Sequence, residues 1–265
     1  MFDQNKNDTF DIQKTKDYIL SIQVSLDGFS FFAILPDDKS VVAYKSTPFK
    51  ISSANLIGRR LKELLESEEL LKNQFKSIQT FFFAENFSLV PDDYLEQELQ
   101  RNLTSVLFDK KVHSHFIENK IKDLKASLIF PVSQEIITIL NDFFYRYVEI
   151  IHPLTKLLQQ PLKSEKRNLS VIISTNSFFY LIIKQNRELV LANSFPVVHQ
   201  NDLIYNVLNT FQQLGVARSE TELFVASAMH ANTEVESLLK PYFENITLMK
   251  IMDLMSNPEI VNSSD

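Results

Sequence analysis

The chain reads as an α/β protein made of two copies of one β-β-β-α-β-α unit, and three observations carry that reading. Residues 18–49, YILSIQVSLDGFSFFAILPDDKSVVAYKSTPF, resemble residues 169–197, LSVIISTNSFFYLIIKQNRELVLANSFPV. Ser30-Phe31-Phe32 lies over Ser177-Phe178-Phe179 at an offset of 147 residues, and Ser46-Thr47-Pro48 over Ser194-Phe195-Pro196 at 148, which makes the second hairpin one residue longer. Each copy is followed by an apolar stripe at helical spacing and then a strand-like run, SIQTFFFA at 77–84 and ELFVASA at 222–228. The third observation is a negative one: the 265 residues hold three glycines, Gly28, Gly58 and Gly215.

The elements follow in order. Residues 1–16 have few apolar groups and no period, so a disordered tail is expected. Tyr18–Ser25 alternates and is rich in β-formers. Asp27-Gly28 reads as a type I′ hairpin turn. Phe29–Leu35 is the second strand, Asp37-Asp38 a turn, and Val41–Tyr44 the third strand. Ser52 and Ser53 can cap a helix whose stripe is Ile57, Leu61, Leu64, Leu65 and Leu71. Ser77–Ala84 is nearly all apolar, as expected for a buried parallel strand. A helix is expected from Pro91-Asp92, with Leu95, Leu99, Leu103 and Val106 on one face.

The second copy repeats the order. After three strands to Val198, Leu203, Ile204, Val207, Leu208, Phe211 and Leu214 form a helix stripe that Gly215 ends. Glu222–Ala228 is a strand. Thr233 and Glu236 have capping-box spacing. Val235, Leu238, Leu239, Tyr242 and Phe243 continue the helix, and Ile246–Ile251 is a last strand present only in this half.

Residues 109–168 are extra to the first copy. His113–Glu118 and Ala126–Phe130 look like a hairpin across Asn119–Asp123. Ser133 caps a long helix through Ile136, Ile137, Leu140, Phe143, Phe144, Tyr147 and Ile151, apolar on most sides and so expected between layers. Pro153 breaks it. The domain division expected is 17–158, with the inserted hairpin at 109–131, a polar linker at 159–168, a second unit at 169–255 and a tail at 256–265.

Composition excludes several classes of function. Absence of cysteine rules out disulfides, thiolate nucleophiles and zinc–thiolate sites. A net charge of −6 disfavours nucleic acid, which needs a positive footprint. The basic clusters Lys110-Lys111, Lys120–Lys125 and Lys163–Arg167 fall where loops are expected. No apolar leader or membrane-length run occurs, so a soluble cytoplasmic protein is expected. The 22 Phe residues stand among Ile, Leu and Val and read as core, not as base-stacking platforms.

Two copies of β-β-β-α-β-α resemble the ground plan of the actin-like ATPase superfamily, two RNase-H-like subdomains in an actin-like arrangement. More narrowly, the opening S-x-D-G-F-S-F, formed by Ser25, Asp27, Gly28, Phe29, Ser30 and Phe31, resembles the bacterial family called domain of unknown function 3822. That resemblance implies an actin-like fold and no assigned activity. In the superfamily, glycine-bearing turns let backbone N–H groups reach the phosphates, and acidic residues hold Mg²⁺ through water. The first phosphate turn normally reads Asp-x-Gly. Here Asp27 and Gly28 are adjacent, with Leu26 where the Asp would stand. The second turn, Ser174-Thr175-Asn176-Ser177, has neither residue. The adenosine loop normally has a Gly-Gly pair, and here Ser227-Ala228-Met229-His230 takes its place. All three loops are off-pattern. Asp27, Gly28, Ser174, Thr175, Ser227 and His230 are therefore vestigial nucleotide-loop positions, and no cofactor is expected.

Other chemistry is sparse. His113 and His115 share a strand face with Glu118 nearby, but no third ligand emerges, so an exposed strand is the expectation and a metal is not. His152 and His199 are isolated. No G-x-S-x-G, H-E-x-x-H or Walker sequence occurs. The expected function is a non-catalytic scaffold or interaction protein, with a protein partner or a homo-oligomer. The alternatives are a nucleotide-binding ATPase or kinase with unusual loops, and a small-molecule binder using the inter-lobe cleft. Partner contact is assigned to the hairpin, through His113, His115 and Phe116, and to Met249, Met252 and Met255, whose flexible thioethers suit adaptable surfaces.

Overall fold

The computed structural model describes residues 10–48, 56–95, 115–159, 164, 166–228 and 233–251. The chain divides into two compact units, residues 1–155 and 156–265.

The first unit opens on a 3-10 helix, Ile12–Asp17, where a disordered tail was expected. Local chemistry orders it. Asp11 Oδ1 accepts the Gln13 N–H at 2.9 Å, and the Phe10 and Tyr18 rings lie 5.7 Å apart. Strands β1 (Ile19–Ser25), β2 (Gly28–Ile34) and β3 (Val41–Pro48) form an antiparallel meander, and β4 (Ser77–Phe82) runs parallel to β1. Helix α1 (Ile57–Ser67) buries Ile57, Leu61 and Leu65, one residue per turn. Its N-cap is Leu56, which makes no side-chain cap bond; Ser52 and Ser53 lie outside the described residues.

The insertion differs from expectation at both ends. Instead of a helix at Pro91-Asp92, a short strand β5 (Ser88–Pro91) ends in a 3-10 turn, Asp92–Tyr94. Leu99, Leu103 and Val106 lie outside the described residues. The expected hairpin is present as β6 (His115–Ile121) and β7 (Ala126–Val132), and with β5 it makes a separate sheet ordered β5-β7-β6. Its turn sits later than expected, because Lys125 supplies the left-handed residue that closes it, at φ 47°. Ser133 caps α2 (Gln134–Phe144) as its position implies, its Oγ accepting the Ile136 N–H at 3.3 Å. The helix ends at the left-handed Tyr145 and buries Ile136 and Leu140 alone, so it is not a helix apolar on most sides. A three-residue strand β8 (Glu149–Ile151) pairs parallel with β4, and Pro153 then starts helix α3 (Pro153–Gln159). The sheet order is β3-β2-β1-β4-β8.

The second unit contains β9 (Asn168–Ser174), β10 (Phe178–Gln185), β11 (Glu188–Pro196), α4 (Gln200–Leu214), β12 (Thr221–Ser227), α5 (Thr233–Leu239) and β13 (Asn245–Leu248). Its sheet order is β11-β10-β9-β12-β13, the same strand for strand as in the first unit. Both copies therefore close with a fifth, parallel strand, and not the second alone. Ile172, Leu181 and Leu223 of the sheet meet Val207 and Phe211 of α4 and Leu239 of α5 in one buried core. Each such side chain contributes about 1.5–3 kcal/mol on burial. Gly215 caps α4 at φ 64°, and the Asp202 carboxylate accepts the His199 and Val198 N–H groups at its start, at 2.7 and 2.9 Å. Those bonds hold the Asp202 carboxyl below its ordinary range.

Strand pairing corrects the register of the repeat. Ser25 pairs with Gly28, and the Thr175 N–H donates to the Phe178 carbonyl at 2.9 Å. Beyond those turns, the Phe83 N–H donates to Val24 and the Ala228 N–H to Ser174. These matches superpose β1–β2 on β9–β10 with Ser25 over Thr175 and Gly28 over Phe178. The Ser-Phe-Phe similarity is thus three residues out of register. Gly28 pairs with Pro48 and Phe178 with Pro196, so the two prolines do correspond and the second hairpin is two residues shorter. Its turn, Asn186-Arg187, has φ of 53° and 71°, as a two-residue type I′ turn requires.

Candidate functional site

The two equivalent β-hairpin turns are where phosphate loops would lie, and in each a hydroxyl occupies the turn's own backbone groups. In the first, the Asp27 N–H donates to Ser25 Oγ at 3.0 Å and that hydroxyl donates to the Gly28 carbonyl at 3.3 Å. In the second, the Ser177 and Phe178 N–H groups donate to Thr175 Oγ1 at 3.3 and 3.0 Å, and that hydroxyl donates to the Phe178 carbonyl at 2.7 Å. Ser and Thr close turns in this way because a short side-chain oxygen reaches amides two and three residues ahead.

The first turn is not type I′. Its central residues are Leu26 and Asp27, and neither has a positive φ. Gly28 begins β2 at φ 138°, a conformation a side chain resists, and there the glycine is needed. Asp27 is buried, as is Ser25. Phe178, the counterpart of Gly28, is a buried core aromatic. Ser174 Oγ donates to the Ala226 carbonyl at 3.3 Å, and Ser174 pairs directly with Ser227 across β9 and β12. The structure thus brings Ser174, Thr175 and Ser227 to one end of one sheet; His230 lies outside the described residues.

The positions assigned to partner contact fare unequally. His115 is exposed on the edge strand β6, whereas Phe116 packs against Val90 and Ile129 in the core of the small sheet. Met249 is buried, and its N–H donates to Val225 at 2.9 Å, extending the β12–β13 ladder; it is a core residue and not a binding surface. His113, Met252 and Met255 lie outside the described residues, and no group of three metal-ligating side chains occurs among those described.

Two features had no counterpart in the sequence reading. A cleft of about 1280 Å³ in the first unit is lined by the apolar Leu65, Phe75 and Ile78 together with the cationic Lys62, Lys72 and Arg146, and none of the nucleotide-loop positions lines it. Four consecutive residues where α2 ends, Phe143, Phe144, Tyr145 and Arg146, belong to that lining. The second is a buried node around His152. Its ring lies between Phe87 and Phe130, at centroid distances of 5.0 and 5.1 Å. Asn119 of β6 accepts the His152 N–H at 2.8 Å and the Thr155 hydroxyl at 3.0 Å, and donates to the Ile150 carbonyl at 3.1 Å. One asparagine thereby ties the inserted hairpin to β8 and α3.

Comparison with known proteins agrees with this architecture. A protein from Bacteroides thetaiotaomicron with an actin-like ATPase fold and unknown function superposes with a TM-score of 0.77 at 20% identity, over 91% of this chain and 94% of that one. The PilM-PilN type IV pilus biogenesis complex includes a chain that matches with a TM-score of 0.56 at 10% identity, over 92% of each. At these identities the likeness establishes the fold, which is that of the actin-like ATPases. No curated protein matches the chain in sequence. No helix among the described residues is long and apolar enough to cross a membrane. The model of the family described as protein of unknown function (DUF3822) matches residues 7–246, and the chain belongs to that family.

Proposed function

We propose that this protein is a pseudo-ATPase, a non-catalytic scaffold or interaction protein that keeps the actin-like fold without its nucleotide chemistry. The observation that carries the reading is the closure of both hairpin turns by Ser25 and Thr175. A phosphate needs backbone N–H groups that are free to turn toward it. Here the Asp27, Ser177 and Phe178 amides already donate within the turn. Recruiting them would break bonds worth about 0.5–1.5 kcal/mol each. The Phe178 side chain also fills the place where the other turn has glycine. The similar PilM-PilN structure is itself a complex, so a fold of this kind serves there in a protein assembly.

Titration calorimetry with Mg-ATP tests the reading. No binding is expected at submillimolar nucleotide. A micromolar dissociation constant that disappears in Asp27→Ala, with the fold of the variant intact, overturns it.

A further inference from the structure

The end of α2 carries a side chain that the helix stop does not call for. Tyr145 is the left-handed residue that ends the helix, at φ 51°, with its N–H donating to the Asn141 carbonyl. Glycine most often takes that position, because a bulky side chain disfavours left-handed backbone. Gly215 takes it at the end of α4. Nothing inside the chain offsets the tyrosine at the end of α2. Tyr145 is 95% exposed, and its ring and hydroxyl make no contact or hydrogen bond with the described residues. Tyr147, 78% exposed, makes none either. A disfavoured backbone kept without an internal gain points to a contact outside the chain.

Tyr145 and Arg146 line the cleft of the first unit with Leu65, Phe75 and Ile78. Arg146 is exposed, and its guanidinium has no ion pair or hydrogen bond among the described residues. The other two cations of the lining are engaged. Lys62 Nζ lies 3.9 Å from Glu66, and Lys72 Nζ lies 2.5 Å from Glu69. Asp142, four residues before Arg146, is not paired with it. Among the described lining residues Lys62, Lys72 and Arg146 outnumber Glu66 and Asp142, on a chain whose net charge is −6. Exposed tyrosine and arginine beside apolar side chains is the composition of a binding hot spot.

From this we infer that the cleft docks an acidic segment of a partner protein, which sets an apolar side chain against Tyr145, Phe75 and Ile78 and a carboxylate on Arg146. Charge selects the partner. A guanidinium takes a carboxylate through two parallel hydrogen bonds, whereas a basic segment would set like charge against it. Size selects a polypeptide, since about 1280 Å³ exceeds the 300–1,000 Å³ typical of small-molecule sites. The inference deepens the reading as an interaction protein and rests on it for the kind of occupant. The cleft shares no residue with the two hairpin turns, so a failed peptide titration and a failed Mg-ATP result are separate outcomes.

Backbone amide chemical shifts of the full chain, followed by NMR during peptide titration, test it. The probes are acetyl-Glu-Asp-Leu-Phe-Glu-Asp-amide, its basic analogue acetyl-Lys-Lys-Leu-Phe-Lys-Lys-amide and its truncated analogue acetyl-Glu-Asp-Ala-Ala-Glu-Asp-amide. The first is expected to saturate at submillimolar concentration, with shifts centred on Phe75 and on 145–147. The basic and truncated peptides are expected not to saturate. Arg146→Glu should weaken the first peptide by about tenfold, the loss of one charge-assisted contact, with unchanged circular dichroism. Tyr145→Gly should weaken it too while raising the melting temperature by about 2–4 °C, because glycine relieves the left-handed backbone. That opposite movement of affinity and stability is what a merely structural tyrosine would not give. Equal binding of acidic and basic peptides, no saturation, shifts centred elsewhere, full affinity in Arg146→Glu, or a lower melting temperature for Tyr145→Gly overturns the proposal. Shifts of the same amides on raising the protein concentration without peptide would assign the cleft to a second copy and overturn it as well.

Discussion

The Nε2 of His152 lies 3.2 Å from the carbonyl oxygen of Ala84, with the ring fully buried. On its other side Nδ1 accepts the Leu154 N–H at 3.3 Å. This pair of contacts selects one neutral tautomer: Nε2–H donates and Nδ1 keeps its lone pair. A second proton on Nδ1 would point at an N–H. Burial pushes the pKa down to about 3, against a smaller upward pull from the Ala84 carbonyl.

That tautomer sets a pH dependence. The folded state refuses a proton that the unfolded chain binds at an ordinary histidine pKa of about 6.5. The stabilisation is therefore complete above about pH 6.5 and declines as pH falls toward 3, by up to about 1.4 kcal/mol per pH unit. Urea unfolding at pH 7.5, 6 and 5 checks this. His152→Phe is expected to flatten the slope between pH 6.5 and 5 while lowering stability at pH 7.5. An unmodified protein equally stable at pH 7.5 and 5 would refute the assignment.

Asn119 is expected to matter more than its place on an edge hairpin implies. Asn119→Ala leaves the His152 N–H, the Thr155 hydroxyl and the Ile150 carbonyl without their partner. Each buried group left unsatisfied costs about 1–3 kcal/mol, and partial relaxation makes about 2–4 kcal/mol the expected loss. A urea midpoint shifted by less than a quarter of that would show that the hairpin is held by its buried strand β7 alone.

The two turn hydroxyls allow an internal comparison. Thr175→Val removes the acceptor of two N–H groups and the donor to one carbonyl, whereas Ser25→Ala removes one bond of each kind. Thr175→Val should cost about 1–3 kcal/mol and Ser25→Ala less. Neither variant should gain Mg-ATP binding. Thermal melts rank the pair, and the reverse order would mean that the first turn depends more on its hydroxyl than the second.

Much of the fold was open to reading along the chain, because local chemistry speaks there. Ser133 and Gly215 mark helix ends through cap bonds that need only neighbouring residues. The stripes of α1 and α4 follow from one buried face on a helix. The duplication and the parallel placement of SIQTFFFA and ELFVASA were legible for the same reason. What pairing across the sheet decides was not. Strands β2 and β9 are buried at every position, so they carry no alternation to anchor a register, and Ser-Phe-Phe could be matched three residues out of place. Strand β8 has three residues and β5 has four, too few for any period, and both exist because a neighbour supplies the hydrogen bonds. Phe116 and Met249 resemble surface anchors until Val90, Ile129 and Val225 are placed against them. The sequence by itself determined the repeated unit, its helices and the poverty of glycine in its loops. Only the tertiary structure decided that the Ser25 and Thr175 hydroxyls close those loops, because which donors remain free depends on where each turn falls in its ladder.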